Sequence, residues 1–350
     1  MRSRLVGLGV AAAALLVFPA TSIGSVIDVF PGDSIQRAVR QAGHGDVIKV
    51  HEGVYRQSVQ IRKNGLTVKG AGPDRKDGTV IKPGKTKRCF HASAGVCILS
   101  HRKGDRRVRT QNTKLKGFLI KGFGGFGAIA IDGKNTTFLR NKFVDNDEYG
   151  AAAFSSNDSQ FLRNVATGSL EAGFYVGDSK QAEALLRGNK ARGNGQFGFF
   201  IRDSAHGAVL NNEAVHNCMG IGLLDTGAPN QVRRWRVRNN EASKNDRFCE
   251  GEGGGPSISG TGIGVLGARR SVIRNNSVRR NQPKQSAPFA GGIVLASTAP
   301  FGGGPAEHNL VKQNHAFNNV PADLRWDGQG DGNRFRRNRC DTSQPSGLCG

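Results

Sequence analysis

One arrangement of apolar and polar positions recurs along the chain. An apolar pair is followed by a basic or amide residue and an asparagine, and a second asparagine comes five residues later. Examples are "FLRNKFVDN" (138–146), "LLRGNKARGN" (185–194), "AVLNNEAVHN" (208–217), "RVRNNEASKN" (236–245), "VIRNNSVRRN" (272–281) and "LVKQNHAFNN" (310–319). The first asparagines are Asn141, Asn164, Asn189, Asn212, Asn240, Asn276, Asn314 and Asn338, separated by 23, 25, 23, 28, 36, 38 and 24 residues. A base period of about 23 with occasional insertions predicts one coil of a parallel β-solenoid per repeat.

Each coil has room for three short strands. The first follows a glycine and alternates in polarity: "GAIAID" (127–132), "GFYVGD" (173–178), "GFFIRD" (198–203), "GIGLLD" (220–225), "GIGVLG" (262–267) and "GIVLAS" (292–297). The second is the apolar pair before the first asparagine, and the third lies between the two asparagines. Coils stacked about 4.8 Å apart turn each repeat position into a column. Asparagine suits a bend in such a stack because it tolerates left-handed backbone angles. Its amide can also bridge the coils on either side.

The pattern changes at the N-terminus. In "PGDSIQRAVRQAGHGD" (31–46), Asp33 or Ser34 is a helix N-cap, and Ile35, Ala38, Val39 and Ala42 fall on one helical face. A short helix here is expected to cover the open end of the stack. "DVIKV", "GVYRQSVQI" and "NGLTVKGAG" then supply the first coils.

The segment "PGDSIQRAVRQAGHGDVIKVHEGVYRQSVQIRKNGLTVKGAG", followed by the asparagine repeats, resembles the right-handed parallel β-helix proteins of the pectate-lyase-like superfamily, in particular secreted bacterial β-helix-repeat proteins. The resemblance implies an all-β chain: a single right-handed parallel β-helix over 26–340 with an N-terminal capping α-helix and a C-terminal tail over 341–350. It also implies that polysaccharide clefts lie along the first-strand sheet. The architecture serves lyases, hydrolases, epimerases, adhesins and accessory proteins, so activity must be argued from the site.

Composition adds location and partners. "MRSRLVGLGVAAAALLVFPATSIGS" (1–25) has a basic start, an apolar stretch and small residues at its end, the pattern of a secretory signal peptide. A secreted, extracellular protein with no membrane-spanning segment in its mature chain is expected. Its six cysteines then predict three disulfides. The repeat places Cys218 and Cys249 just beyond the third strands of neighbouring coils. Cys89 and Cys97 share one insertion, and Cys340 and Cys349 bracket the tail. These are the expected pairs. The absence of any CxxC motif argues against a zinc site.

The formal charge is +23, and loss of Arg2 and Arg4 with the leader leaves +21. Such a charge favours a polyanionic partner. In an exported protein this points to acidic polysaccharide or cell-wall polymer and disfavours nucleic acid. A monomer is expected. Arg140, Arg163, Arg187, Arg238, Arg274, Lys312, Arg336 and Arg337 lie one or two places before their asparagines. They form a basic column away from the first strand, and it either grips polymer or coats a solvated face.

Candidate chemistry gathers around the first strand. The large insertions at 246–261 and 282–291 both enter between the third strand and the next first strand, as loops beside a binding face do. Five residues after each glycine stand Asp132, Ser155, Asp178, Asp203, Asp225, Gly267 and Ser297. Asp178, Asp203 and Asp225 occupy consecutive coils, where like charges about 5 Å apart repel. Ca²⁺ is the candidate cofactor that would offset them; turn formation by the same residues is the alternative. Two places before the glycines come Glu148, Glu171 and Gln196, and the two glutamates are candidate catalytic carboxylates. Tyr175 and Phe200 are expected as an exposed aromatic pair that stacks on sugar rings. Arg202, between the acidic columns, is the candidate base or charge stabiliser of a β-elimination.

No Asn-Thr-Asp or Arg-Ile-Lys partners accompany "GHG" (43–45), no Asp-Pro-His triplet occurs, and the eight histidines do not cluster. Two readings therefore stand. One is a carbohydrate-active enzyme, in particular a polyuronate lyase. The other is a non-catalytic extracellular binding or surface protein on the same scaffold.

Overall fold

The computed structural model describes residues 24–73, 78–86, 88–251 and 255–350; the expected leader lies outside them except for Gly24 and Ser25. Among the described residues, short parallel strands recur in threes and stack into long sheets. The chain is a right-handed parallel β-helix. The strand Phe197–Leu210 runs unbroken from the first-strand sheet into the second, so these two join as one 22-stranded sheet. Third strands form a separate sheet of ten.

Register follows the repeat. On the first strand, Ala128, Ala151, Phe174, Phe199, Ile221, Ile263 and Ile293 pair in succession and point inward. Inward residues of all three strands fill one continuous core.

Both asparagines of the repeat build buried ladders. Asn189 Oδ1 accepts the Asn164 backbone N–H at 2.9 Å and its Nδ2 at 3.0 Å. Asn189 Nδ2 donates to Phe161 O at 2.8 Å and to Asn212 Oδ1 at 3.1 Å. The left-handed residue at each bend is not this asparagine. It is the residue before it: Arg140, Arg163, Asn211, Asn239, Asn275, Gln313 and Arg337 all have φ between 52° and 55°. The asparagine turns its side chain inward, and the preceding residue makes the bend.

The ladder also explains the repeated glycine. A Cβ on Gly198 would lie 2.6 Å from Gly220 O and 3.0 Å from Asn217 Nδ2. The inner corner has no room for a side chain beside the second asparagine.

At the N-terminal end the helix Ile35–Gln41 is capped by Ser34, whose side chain accepts from Arg37 N. Gln36 exchanges two hydrogen bonds with the Gln60 backbone, 3.0 and 2.7 Å, and so stands in for a neighbouring strand. At the other end Asp323 closes the second ladder by accepting from Asn319 N and Nδ2, and from Asp341 N and Thr342 N in the tail. The disulfides are Cys89–Cys97, Cys218–Cys249 and Cys340–Cys349, the expected pairs.

Candidate functional site

The outer face of the first-strand sheet is largely apolar. Three outward columns run along it. Phe126, Tyr149, Ala172, Phe197 and Met219 form one; Ile129, Ala152, Tyr175, Phe200 and Gly222 form the next. Ile131, Phe154, Gly177, Arg202, Leu224 and Leu266 form the third. Together they make a second apolar layer outside the main core.

This layer corrects the expectation of exposed aromatics. Tyr175 is 0% and Phe200 4% exposed. The Tyr175 ring lies 4.6 Å from both Tyr149 and Phe154, and Phe200 stacks on Phe197 at 4.0 Å. Each points away from the core as the alternation requires, but its neighbours in the same layer cover it. Tyr175 leans over Gly177, where a Cβ would meet its hydroxyl at 2.0 Å. That buried hydroxyl has no hydrogen-bond partner.

A groove of about 640 Å³ opens beside this aromatic block, within the usual range of roughly 300–1,000 Å³ for ligand sites. Phe200, Met219, Leu224 and Leu266 floor it. Glu171, Gln196, Ile258 and Phe289 stand on one side, and Thr226, Pro300 and Phe301 on the other. Phe289 and Phe301 meet edge to face at 6.3 Å. The Cys218–Cys249 disulfide ties the 246–261 insertion, which carries Ile258, to the coil beneath.

Arg202 lines the groove and is 37% exposed at its side chain. Its guanidinium lies 5.8 Å from the centre of the Tyr175 ring. Asp178 lies 3.8 Å from Nη2 and Asp203 3.6 Å from Nε, both too long for hydrogen bonds, and Nε is buried without an acceptor. Burial alone would lower the Arg202 pKa. Tyr175, Asp178, Tyr149 and Asp203 outweigh it and hold the group above its ordinary value. A guanidinium held protonated suits an anion-holding role and not proton abstraction.

Glu171 is the groove's partly exposed carboxylate. It accepts a hydrogen bond from Tyr149, whose phenol is pushed well above its usual pKa by burial and then by Glu171. Glu148, one coil earlier, is exposed and does not line the groove. Burial and Asp147 raise its pKa.

The three aspartates do not assemble as a cation site. Asp203, 2% exposed, accepts from Thr226 N and Oγ1 at 2.8 and 2.6 Å. Asp225 accepts from Gly227 N and Val232 N. Asp178 faces Arg202. No group of three or more His, Cys, Asp or Glu side chains among the described residues is arranged to hold a metal. Asp132, Ser155, Asp178, Asp203 and Gly267 have positive φ, so this column forms the turn. The residues present do not fit Ca²⁺.

Sequence reasoning missed Tyr149, Phe289 and Phe301. Tyr149 had a signal: Phe126, Tyr149, Ala172, Phe197 and Met219 all directly precede the repeat glycine, an outward and mostly apolar position.

The family described as right handed beta helix region matches residues 86–241. No curated protein matches the chain. Solved structures with a similar fold include the A-module of the Azotobacter vinelandii mannuronan C-5 epimerase AlgE4, with TM-score 0.52 and 15% identity over 87% of this chain and 90% of that one. The periplasmic alginate epimerase AlgG matches with TM-score 0.58 and 12% identity over 84% and 72%. An alginate lyase from Paenibacillus sp. str. FPU-7 matches with TM-score 0.55 and 15% identity over 88% and 99%. At these identities the likeness is one of fold.

Proposed function

We propose that this right-handed parallel β-helix protein is secreted and acts on a uronate-containing polysaccharide in the groove of its first-strand sheet. One observation carries the reading: Arg202 is held protonated beside an apolar-floored groove with donors unspent. A uronate carboxylate would complete it, because a bidentate carboxylate matches the guanidinium better than Asp178 does at 3.8 Å. Alginate-acting proteins among the structures of similar fold make that substrate class the first to test.

The finer reading is a lyase. Arg202 neutralises the carboxylate and so acidifies the C5 proton. Glu171, oriented by Tyr149, takes that proton. The electron pair forms the C4–C5 double bond as the C4–O4 bond breaks, and the leaving oxygen takes a proton from water. Alginate and polygalacturonate should yield product absorbing in the ultraviolet. Glu171→Gln should cut the rate at least about 100-fold. Unchanged turnover in Glu171→Gln or Arg202→Gln would exclude this assignment.

A second reading has its own support. The Tyr175 phenol is buried and Asp203 and Asp225 are spent on turn hydrogen bonds. Few acid groups therefore remain for catalysis, which favours a non-catalytic binding protein. Uronate binding that depends on Arg202 without any unsaturated product would select it.

A further inference from the structure

The second-strand sheet carries a row of cations that the groove does not use. Arg238, Arg274, Lys312 and Arg336 pair residue for residue in consecutive coils, so their side chains leave the sheet one above another at about 4.8 Å spacing. Among the described residues no carboxylate pairs with any of them. Nε of Arg238 and of Arg274 is buried without an acceptor. Nearer the N-terminus the same column holds Lys49, Lys69 and Lys116 in successive coils, with Asp28 pairing with Lys49 at 3.6 Å and Leu139 and Leu162 following Lys116. Burial and the nearby Lys69, Lys114 and Arg140 lower the Lys116 pKa, a sign that this face holds more positive charge than it compensates.

A solvated coat does not require this alignment. Stacked like charges repel, and a mixed pattern would avoid the repulsion. The outward neighbours on the same strands, Arg236, Val272, Leu310 and Arg334, add charge at the ends and a smooth aliphatic strip between.

We infer that this cationic ladder is a second binding site, which holds a single extended chain of an acidic polysaccharide, one carboxylate per sugar, parallel to the stack of coils. It rests on the reading that the protein acts on such a polymer, but it lies on a different face of the coil from the groove. The occupant follows from the geometry. One straight row of charges suits one thin chain. A nucleic acid duplex presents a charge every ~1.7 Å of its axis, and single strands are held on exposed aromatics, which these outward positions lack. Anchoring on the ladder keeps the polymer near the groove between encounters, raising its effective concentration there.

The test is binding of the mature protein to alginate oligosaccharides of defined length across a salt series, with dextran and oligothymidylate as comparison ligands. The variant Arg238→Gln/Arg274→Gln/Lys312→Gln/Arg336→Gln should bind alginate at least tenfold more weakly. Its slope of log affinity against log salt should shrink by about 3, at roughly 0.7 per lost contact. Its kcat should be unchanged while its KM rises. A control with the same charge loss on exposed residues elsewhere, Lys103, Arg106, Lys180 and Arg279 to Gln, should bind like wild type. Replacing the three ladder arginines by lysine should retain binding, a readout that survives if the Gln variant fails to fold. Equal losses in ladder and control variants would overturn the site, and tighter binding to oligothymidylate than to alginate would overturn the occupant. Arg202→Gln separates the two readings. If it abolishes binding while the ladder variant does not, the ladder claim fails. If the ladder variant alone loses binding, the groove reading fails and the ladder stands.

Discussion

At the scale of single residues, the asparagines and aspartates show how donor count sets identity. An inner ladder position must accept from one coil while donating to two groups, and the asparagine amide, with one acceptor oxygen and two N–H donors, does both at once. Asp323 is tolerated at the ladder's end because all its partners are donors. Asn189→Ala would strand the buried Asn164 N–H and the Phe161 carbonyl. We expect a loss of about 3 kcal/mol in urea unfolding; a loss below about 1 kcal/mol would mean that the ladder is dispensable. Asp178 supplies a pH prediction. Burial raises its pKa, with Arg202 pulling the other way and Asp203 reinforcing the rise. Its contribution to stability is therefore fully present below its unfolded pKa, ~3.9, and lost as pH rises through the higher folded value. The same titration governs Arg202. As pH falls through that raised range, Asp178 gains its proton and no longer competes for the guanidinium. Uronate affinity should rise over that range in wild type and stay flat in Asp178→Asn, as followed by calorimetry. Parallel profiles would remove Asp178 from the site.

At the scale of elements, coil boundaries were legible because the inner corner admits only glycine beside asparagine, which writes the period into the sequence. The bend itself was misread by one place: the left-handed position accepts Arg, Asn, Gln or Gly alike, so composition there carries little signal. The alternation correctly turned Tyr175 and Phe200 away from the core. It could not show that they would be covered, because the cover comes from Tyr149 and Phe154 in the preceding coil and from Phe197 in the same strand as Phe200. The acidic column was visible as a column, but whether its carboxylates face a ligand or their own turn depends on local backbone direction. The 246–261 insertion is an element whose role can be tested directly. Cys218→Ser/Cys249→Ser should lower stability by about 2–4 kcal/mol. It should also weaken uronate binding, because the tether beneath Ile258 is lost. Full affinity in that variant would mean that this wall does not shape the groove.

At the scale of the whole molecule, the excess positive charge is distributed unevenly, and the groove is not its focus. Arg202 sits there among Glu171, Asp178, Asp203 and Asp225. The uncompensated cations lie on another face of the coil, along the second strands. The net charge pointed to a polyanionic partner, but only the stacking separates a row of aligned cations on one face from a single arginine beside the groove. The claim on which the account turns is that Arg202 receives a uronate carboxylate. Titration calorimetry of wild type and Arg202→Gln with a short uronate oligosaccharide and with its carboxyl-reduced counterpart tests it most directly. At low salt, the ladder contributes equally to both proteins. The account predicts that wild type binds the acidic ligand at least tenfold more tightly than Arg202→Gln does, and that the reduced ligand abolishes the difference. Equal affinity of the two proteins for the acidic oligosaccharide would contradict it.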